Sequence, residues 1–352
     1  MCATLSPGGS CSRCSPCGRA GCSAGATDRA PPDTAGCEAM DDHLVGVLAS
    51  IGIVSFVALS AYVLLLSGEV SFGQQAFFAL GAYAAGIGTA VLRWPLASAL
   101  LLGALVGALA AAAVARATLR LTGFAFAMAT LAFAEMVRIA AELVVFRVEV
   151  DGRLVGPAGT DGFGDIRYLF ENDITPGQYA AGVYVLLAAV LALFAAVERS
   201  RLGRALRQAG TDPTLAELQG ISVVRVRLAA ATAAGALAGL GGGLYAHLLT
   251  YVEPGNFNIM LGVHSLAYGL IGGLGTALGP VLGVLIDIGL LESSRLFAGY
   301  RMIVFGGLVA VLLIVRPRGL LDERAVHWIA ARIRERLDAL AARRADGPLR
   351  RP

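Results

Sequence analysis

The sequence predicts an all-α fold: a polytopic membrane bundle of about eight or nine spans, some interrupted by Gly and Pro. Three observations predict it. Charged residues are only 15% of the 352 and hydrophobic ones 57%, with a mean hydropathy of +0.71, whereas a soluble domain carries roughly 25% charged residues. The apolar residues come in blocks, and crossing a bilayer takes about 20 residues per helix. The blocks are continuous Leu/Ala/Val/Gly runs without the alternation of barrel strands. Inside hydrocarbon the backbone must satisfy its own hydrogen bonds, so such blocks are helices. The net charge is +3 and every basic residue is Arg, a usage into which no function is read.

Residues 1–40 stand apart. All six cysteines lie here, at Cys2, Cys11, Cys14, Cys17, Cys22 and Cys37. The stretch is rich in Ser, Gly, Pro and Ala and lacks the apolar centre of a signal peptide. The spacing of Cys11, Cys14 and Cys17 invites a metal or iron–sulfur reading, but no fourth ligand follows at the expected distance. The expectation is a disordered extension, or a start codon assigned upstream of Met40, with no metal bound.

Residues 41–321 form the transmembrane domain. The first block is Leu44–Leu66, and the polar break Ser67–Gln75 separates it from Ala76–Leu92. Arg93 and Pro95 mark a turn before Leu96–Ala115, and Thr122–Phe146 is the fourth block. After the polar segment Arg147–Gly177 come Gln178–Val197, the basic loop Glu198–Arg227 and Leu228–Tyr251. The last apolar regions are Gly262–Leu291 and Met302–Val315. Small residues in series, as in Ala236–Gly243, allow close helix packing in lipid.

Orientation follows Arg placement. The loop Glu198–Arg227 holds six Arg against three acids, and the chain from Arg316 onward holds ten Arg; both are expected on the cytoplasmic side, the C-terminus with them. The segment Arg147–Gly177, with three Arg against six acids, is expected outside. Returning from the outer end of Leu228–Tyr251 to Arg316 takes an odd number of crossings. The region Gly262–Leu291 is therefore expected to split near Gly275–Pro280, into two short crossings or a re-entrant pair. Irregular backbone at membrane depth survives only inside protein or beside a water-filled cavity. Paired Gly/Pro interruptions, one per half, point to a transport pathway. This marks Ser71, Gly73 and Gln74 in the first break and Gly272, Gly273, Gly275 and Pro280 in the second. Two ordinary short loops are the plainer alternative.

Glu135, Arg138 and Glu142 share one face of the fourth block. Ionisable residues at membrane depth face protein or water, so Glu135 and Arg138 are read as pathway lining or a subunit contact, with a structural ion pair as the alternative. The loop Glu198–Arg227 reads as a short helical stretch, a Gly-Thr-Asp-Pro turn and a second stretch, Thr214–Gln219, stopped at Gly220. It is read either as a dock for a cytoplasmic protein or as a solvated basic loop on an anionic membrane. Residues 322–352 carry Val326, Ile329, Ile333, Leu337 and Leu340 on one stripe, an amphipathic helix expected on the cytoplasmic membrane surface or on a partner. The four His are dispersed; no P-loop, zinc pattern or nucleophile elbow is present. The expectation is no catalytic residue, no cofactor and no nucleic-acid partner.

Four stretches together resemble the permeases of branched-chain amino acid ABC importers, and in particular their M-type subunit. They are LSGEVSFGQQAFFALGAYAAG (Leu66–Gly86), TLAFAEMVRIAAE with GPAGTDGFGDI (Thr130–Glu142 and Gly156–Ile166), SRLGRALRQAGTDPTLAELQGI (Ser200–Ile221), and GLIGGLGTALGPVLGVLI with RPRGLL (Gly269–Ile286 and Arg316–Leu321). The resemblance runs from about Leu44 to Leu321. It implies a homologous second permease, two cytoplasmic ATPase subunits, an extracytoplasmic solute-binding protein, and a place in the cell inner membrane. Ser200–Gly220 would be the loop seated on an ATPase, with Arg201, Gly203, Arg204, Ala216, Glu217 and Gly220 in it. The solute would be a branched-chain or other small amino acid. Urea or short amides in the same permease class, or an ion-coupled secondary transporter, are the alternatives. The chain departs from the family's pattern at Gln75 and at Gln208–Pro213.

Overall fold

The computed structural model of the protein describes residues 32–118, 121–150, 153–273, 275–292, 300–316 and 319–320. The Cys-rich stretch 1–31 and the amphipathic tail 322–352 lie outside the described residues. The chain divides into two units, 1–40 and 41–352. Of the first, residues 32–40 are described, as the start of the first helix, and the account below concerns the second.

The described chain is almost wholly helical. In order it forms α1 (Pro32–Leu66), α2 (Gln74–Ala90), α3 (Leu96–Ala117), α4 (Phe124–Leu143), β1 (Val148–Val150), β2 (Arg153–Val155), α5 (Tyr168–Glu171), α6 (Pro176–Arg199), α7 (Arg201–Thr211), α8 (Pro213–Leu218), α9 (Val223–Leu249), α10 (Ile259–Gly272), α11 (Leu278–Val284) and α12 (Arg301–Val315). From α11 the chain runs directly into a π-helical stretch, Leu285–Glu292. Among the described residues five helices are long and apolar enough to cross a membrane: Leu44–Leu66 within α1, then α3, α4, α6 and α9. Ile259–Gly272, Leu278–Gly289 and Met302–Leu312 are shorter apolar helices.

The apolar blocks mark the helices, and local chemistry sets their ends. The cap of α6 is Thr175, whose hydroxyl accepts from Gln178 N at 3.3 Å while Gln178 Oε1 accepts from Thr175 N at 3.2 Å. That reciprocal pair, with Pro176 in the first turn, satisfies amides that a helix start leaves open. It starts α6 two residues before the expected Gln178. Val223 likewise starts α9 ahead of the expected Leu228, because Arg225 and Arg227 belong to its first turns. Asn258 caps α10, accepting from Met260 N at 3.0 Å.

Two expectations need correction. Gln74 and Gln75 are not in the first break but open α2, with both side chains buried. Pro280 is not in the second break but in the first turn of α11, where a missing amide hydrogen costs nothing. The polar segment Arg147–Gly177 contains a hairpin that the sequence did not announce, β1 pairing antiparallel with β2 from Val148↔Val155 to Val150↔Arg153.

The centre is α2, α3 and α9, packed backbone to backbone. A Cβ on Gly81 would collide with the Gly239 carbonyl, one on Gly107 with the Gly235 carbonyl, and one on Gly242 with the Phe78 carbonyl. Without side chains between them the helices gain dense van der Waals contact, the main attraction available between helices in lipid. On the outside, Leu101, Leu105 and Leu109 form an exposed apolar row along α3.

Contacts sort the loops into two ends. At one, Gly68 lies on Gly210, Arg207 reaches Gly275, and Leu320 N donates to Ile271 O at 3.0 Å. At the other, Phe163 and Val252 exchange backbone hydrogen bonds of 2.7 and 2.8 Å below the hairpin. Between the ends, α10 and α11 run antiparallel, with Tyr268 OH donating to the buried Asp287 at 2.6 Å. The region Gly262–Leu291 is thus divided into two helices, α10 ending at Gly272 and α11 beginning at Leu278.

Candidate functional site

The first interruption is Ser67–Gly73. Gly68 takes φ +78°, and the chain folds back so that Gly68 N donates to Leu65 O at 3.1 Å and Glu69 N to Leu64 O at 3.1 Å. These bonds cap the orphan carbonyls at the end of α1, and the left-handed turn is one a side chain would strain. The rest of the segment is held by one bond of its own and by partners on other helices. Phe72 N donates to Thr130 Oγ1 on α4 at 3.1 Å, and Gly73 N donates to Ser71 Oγ at 3.1 Å. Glu69 pairs with Arg227 Nη1 on α9 at 3.0 Å.

Gln74 then enters α2 with its Oε1 accepting from Ser60 Oγ on α1. Ser60 lies six residues before Leu66, about 9 Å up the helix at 1.5 Å per residue. The non-helical backbone is therefore drawn up into the bundle, enclosed by α1, α4 and α9. Gln74 Nε2 and both side-chain polar atoms of Gln75 are buried and make no hydrogen bond to the protein. Gln75 Oε1 lies directly against Gly262 of α10. Buried polar atoms without protein partners are costly and rare, and here they cluster at the mouth of an unwound span.

The second interruption is short. Gly272 ends α10, Gly273 takes φ +94°, and α11 begins at Leu278. A Cβ on Gly272 would strike the backbone of Gly279, so the two antiparallel helices meet at glycine. The Gly275 carbonyl accepts from Arg207 Nη2 at 2.9 Å. Gly319 lies on Gly273, and a Cβ on Gly319 would strike the Gly273 backbone.

The connection between α6 and α9 is a helix pair. Ser200 Oγ caps α7, accepting from Leu202 N at 3.2 Å. Asp212, the single non-helical residue between α7 and α8, caps α8 by accepting from Leu215 N at 3.0 Å. The expected four-residue turn is therefore one residue long. Gly220 ends the pair with φ +81°. Of the six residues singled out in this loop, Arg201, Arg204, Glu217 and Gly220 are exposed, and Gly203 and Ala216 are buried. Gly203 lets α7 press on Val197 and Glu198, and Ala216 joins Ala209 and Val223 in a small core that binds α7, α8 and the start of α9. Leu202, Leu215 and Leu218 stand exposed beside the arginines. A cavity of about 400 Å³ lies between α7 and helices α1, α6 and α9, its wall apolar apart from Glu198 and Arg207.

Glu135, Arg138 and Glu142 do pair. Arg138 Nε donates to Glu135 Oε1 at 2.8 Å, and Nη1 contacts Glu142. All three are half-buried on the flank of α4. They lie further along α4 than Thr130 and are not brought to either interruption. Among the described residues no group of three or more His, Cys, Asp or Glu stands together as a metal site would.

Five polar residues at the site escaped the sequence reading: Tyr62, Glu69, Glu198, Arg207 and Arg227. Tyr62 OH donates to Glu198 Oε1 at 2.9 Å, and Arg207 Nη2 lies 3.4 Å from the same oxygen. Only one signal was available for any of them: Glu69 is a lone acid inside a break flanked by apolar blocks.

Comparison with known proteins places the chain. The family model described as branched-chain amino acid transport system / permease component matches residues 43–315. The chain is 29% identical over 279 residues to the high-affinity branched-chain amino acid transport system permease protein LivM of Salmonella typhimurium, covering 73% of this chain and 64% of that protein. It is 29% identical over 300 residues to LivM of Escherichia coli K12, covering 79% of this chain and 69% of the relative. It is 30% identical over 163 residues to LivH of the same organism, covering 46% and 52%. No solved structure matches the chain. With glycine-interrupted spans, a capped basic helix pair and a family match across the whole bundle, the chain belongs to the branched-chain amino acid transport permease family.

Proposed function

We propose that the protein is the membrane-spanning permease subunit of an ATP-driven importer, passing branched-chain or other small amino acids across the cell inner membrane. It works beside a homologous second permease, two cytoplasmic ATPase subunits and an extracytoplasmic solute-binding protein. The sequence carries no P-loop, so nucleotide is bound and cleaved on other chains. The observation that carries this reading is the helix pair α7–α8. It is capped at both starts, exposes Arg201, Arg204 and Glu217 beside Leu202, Leu215 and Leu218, and sits at the same end as the second interruption. Such a mixed basic and apolar surface suits a protein partner.

The two interruptions line the pathway in this reading. Ser71, Gly73, Gln74, Gly272, Gly273 and Gly275 supply it with small residues and a buried amide whose Nε2 has no protein partner, and Pro280 fixes the start of α11. Glu135 and Arg138 face the second permease or the water-filled path, since half-buried ions in lipid would be costly. The C-terminus is cytoplasmic in this reading.

The test is co-purification followed by uptake. Tagged protein brings down two ATPase chains, and removing Ser200–Gly220 abolishes their recovery. Deleting the gene lowers entry of labelled leucine. Leucine entry unchanged with urea entry lost assigns the permease to urea or amides instead. Solute transport by the purified chain alone, driven by an ion gradient, makes it a secondary transporter.

A further inference from the structure

We infer that Arg207 and Gly210 make α7 a shared joint of both interrupted spans, so that one movement of this helix is delivered to the two breaks together. The inference rests on the reading of α7–α8 as the seat of the ATPase subunits, and concerns residues that reading does not name.

The two breaks belong to opposite halves of the chain, yet one turn of α7 touches the backbone of each. At Gly210 the contact is with the first break. A Cβ there would run into the Leu66 carbonyl and stand 3.0 Å from Gly68 N, and a Cβ on Gly68 would stand 2.9 Å from Gly210 O. Neither position has room for a side chain, so helix and break lie in direct backbone contact. One turn back, Arg207 Nη2 donates to the Gly275 carbonyl at 2.9 Å and lies 3.4 Å from Glu198 Oε1, which also accepts from Tyr62 OH at 2.9 Å. The Arg207 guanidinium thus links α7 at once to the second break, to the end of α6 and to α1.

The helix is built to move as a piece. Gly203 is pressed on Val197 and Glu198 at its start, and the core of Ala209, Ala216 and Val223 fastens it to α8 and α9. Leu202, Gly203 and Leu206 of α7 line the cavity of about 400 Å³, whose opposite wall includes Val63, Leu66 and Phe194. A close-packed interior resists displacement; on this side α7 meets open space. A push received on α8 can therefore tilt α7 and shift Leu66–Gly68 and Gly275 in the same stroke. The energetic content is a coupling between sites: Arg207 and Gly210 are positioning residues that set how much solute moves per ATP, not whether ATP is cleaved.

The experiment uses the complete importer, purified with its ATPase subunits and reconstituted with its binding protein. Solute transported per ATP hydrolysed is compared for wild type, Arg207→Met, Arg207→Lys, Gly210→Ala and, as a control at the far end, Glu171→Ala. Arg207→Met keeps the apolar stem against the cavity and removes the donors. In Arg207→Met and Gly210→Ala, ATP hydrolysis should stay within about twofold of wild type while solute per ATP falls about tenfold, the size of a typical inter-site coupling. Arg207→Lys, whose ammonium can still donate to Gly275, should restore most of the yield; Glu171→Ala should keep all of it. Wild-type yield in Arg207→Met overturns the inference, and so does an equal loss of hydrolysis and transport, which would mark Arg207 as part of the ATPase seat. Arg207→Met decides alone if Gly210→Ala is not recovered from the membrane. Failure of the wild-type chain to bring down ATPase subunits is a different result, and sinks the importer reading itself.

Discussion

Glu69 is a carboxylate on unwound backbone, its side chain 5% exposed, and Arg227 of α9 is its ion-pair partner at 3.0 Å. Neither ion is fully satisfied: Glu69 Oε2 and Arg227 Nε are buried without hydrogen bonds. Removing one partner of a buried pair strands the other, whereas removing both is often neutral. Arg227→Leu should therefore lower stability by about 3 kcal/mol, and the double variant Glu69→Leu with Arg227→Leu should regain most of it. Thermal unfolding of the detergent-solubilised protein measures both. Additive losses in the double variant would show that the two side chains do not act as a pair. The sequence pointed to Ser71, Gly73 and Gln74 in this segment because Gly and polar residues interrupt an apolar run. It could not point to Arg227, which opens a helix in a distant part of the chain, nor to Arg207, whose acceptor is a backbone carbonyl that leaves no mark in sequence.

The helices were legible at the level of whole elements, because twenty apolar residues in a row admit one structure in lipid. Their ends were less so. Thr175 with Gln178 fixes the start of α6 and Asp212 fixes the start of α8 through single hydrogen bonds, which block hydropathy does not register. The β1–β2 hairpin was missed because its strands are three residues each and sit in a charged loop. The glycine series of α9 was read as a packing device, and its partners on α2 and α3 confirm where it packs. A Cβ on Gly239 would strike the Gly103 carbonyl and approach Gly107 Cα at 3.2 Å. Gly239→Leu should force α3 and α9 apart, costing about 3 kcal/mol or more, at or above the usual range for overpacking. Gly46, with open space around its Cα, should tolerate the same exchange. Size-exclusion profiles and melting temperatures of the two variants test this, and equal behaviour would mean the α2–α3–α9 contact is not the tight centre of the bundle.

At the scale of the molecule, the two ends differ in charge. The end bearing α7–α8 carries the loop with six Arg against three acids, and the hairpin end carries the segment with three Arg against six acids. Positive charge on loops resists translocation, so the basic end should be cytoplasmic. All six cysteines fall within residues 1–37, and replacing them with Ser gives a background in which one introduced thiol reports one site. Leu215→Cys on exposed α8 should react with a membrane-impermeant maleimide in inverted vesicles and resist it in right-side-out vesicles. Thr160→Cys, exposed beside the hairpin, should show the reverse. The odd number of crossings between α9 and Arg316 gives the experiment a third arm. Leu320 N donates to Ile271 O, so if α10, α11 with its π-helical continuation, and α12 each cross as proposed, Leu320→Cys should label on the same side as Leu215→Cys. If Leu320→Cys and Leu215→Cys label from opposite faces, the number of crossings between α9 and Arg316 is even, and neither two crossings nor a re-entrant pair in Gly262–Leu291, each of which leaves it odd, describes the chain. If Leu215→Cys labels only from outside, no cytoplasmic ATPase can reach α8 and the proposed drive has no point of entry.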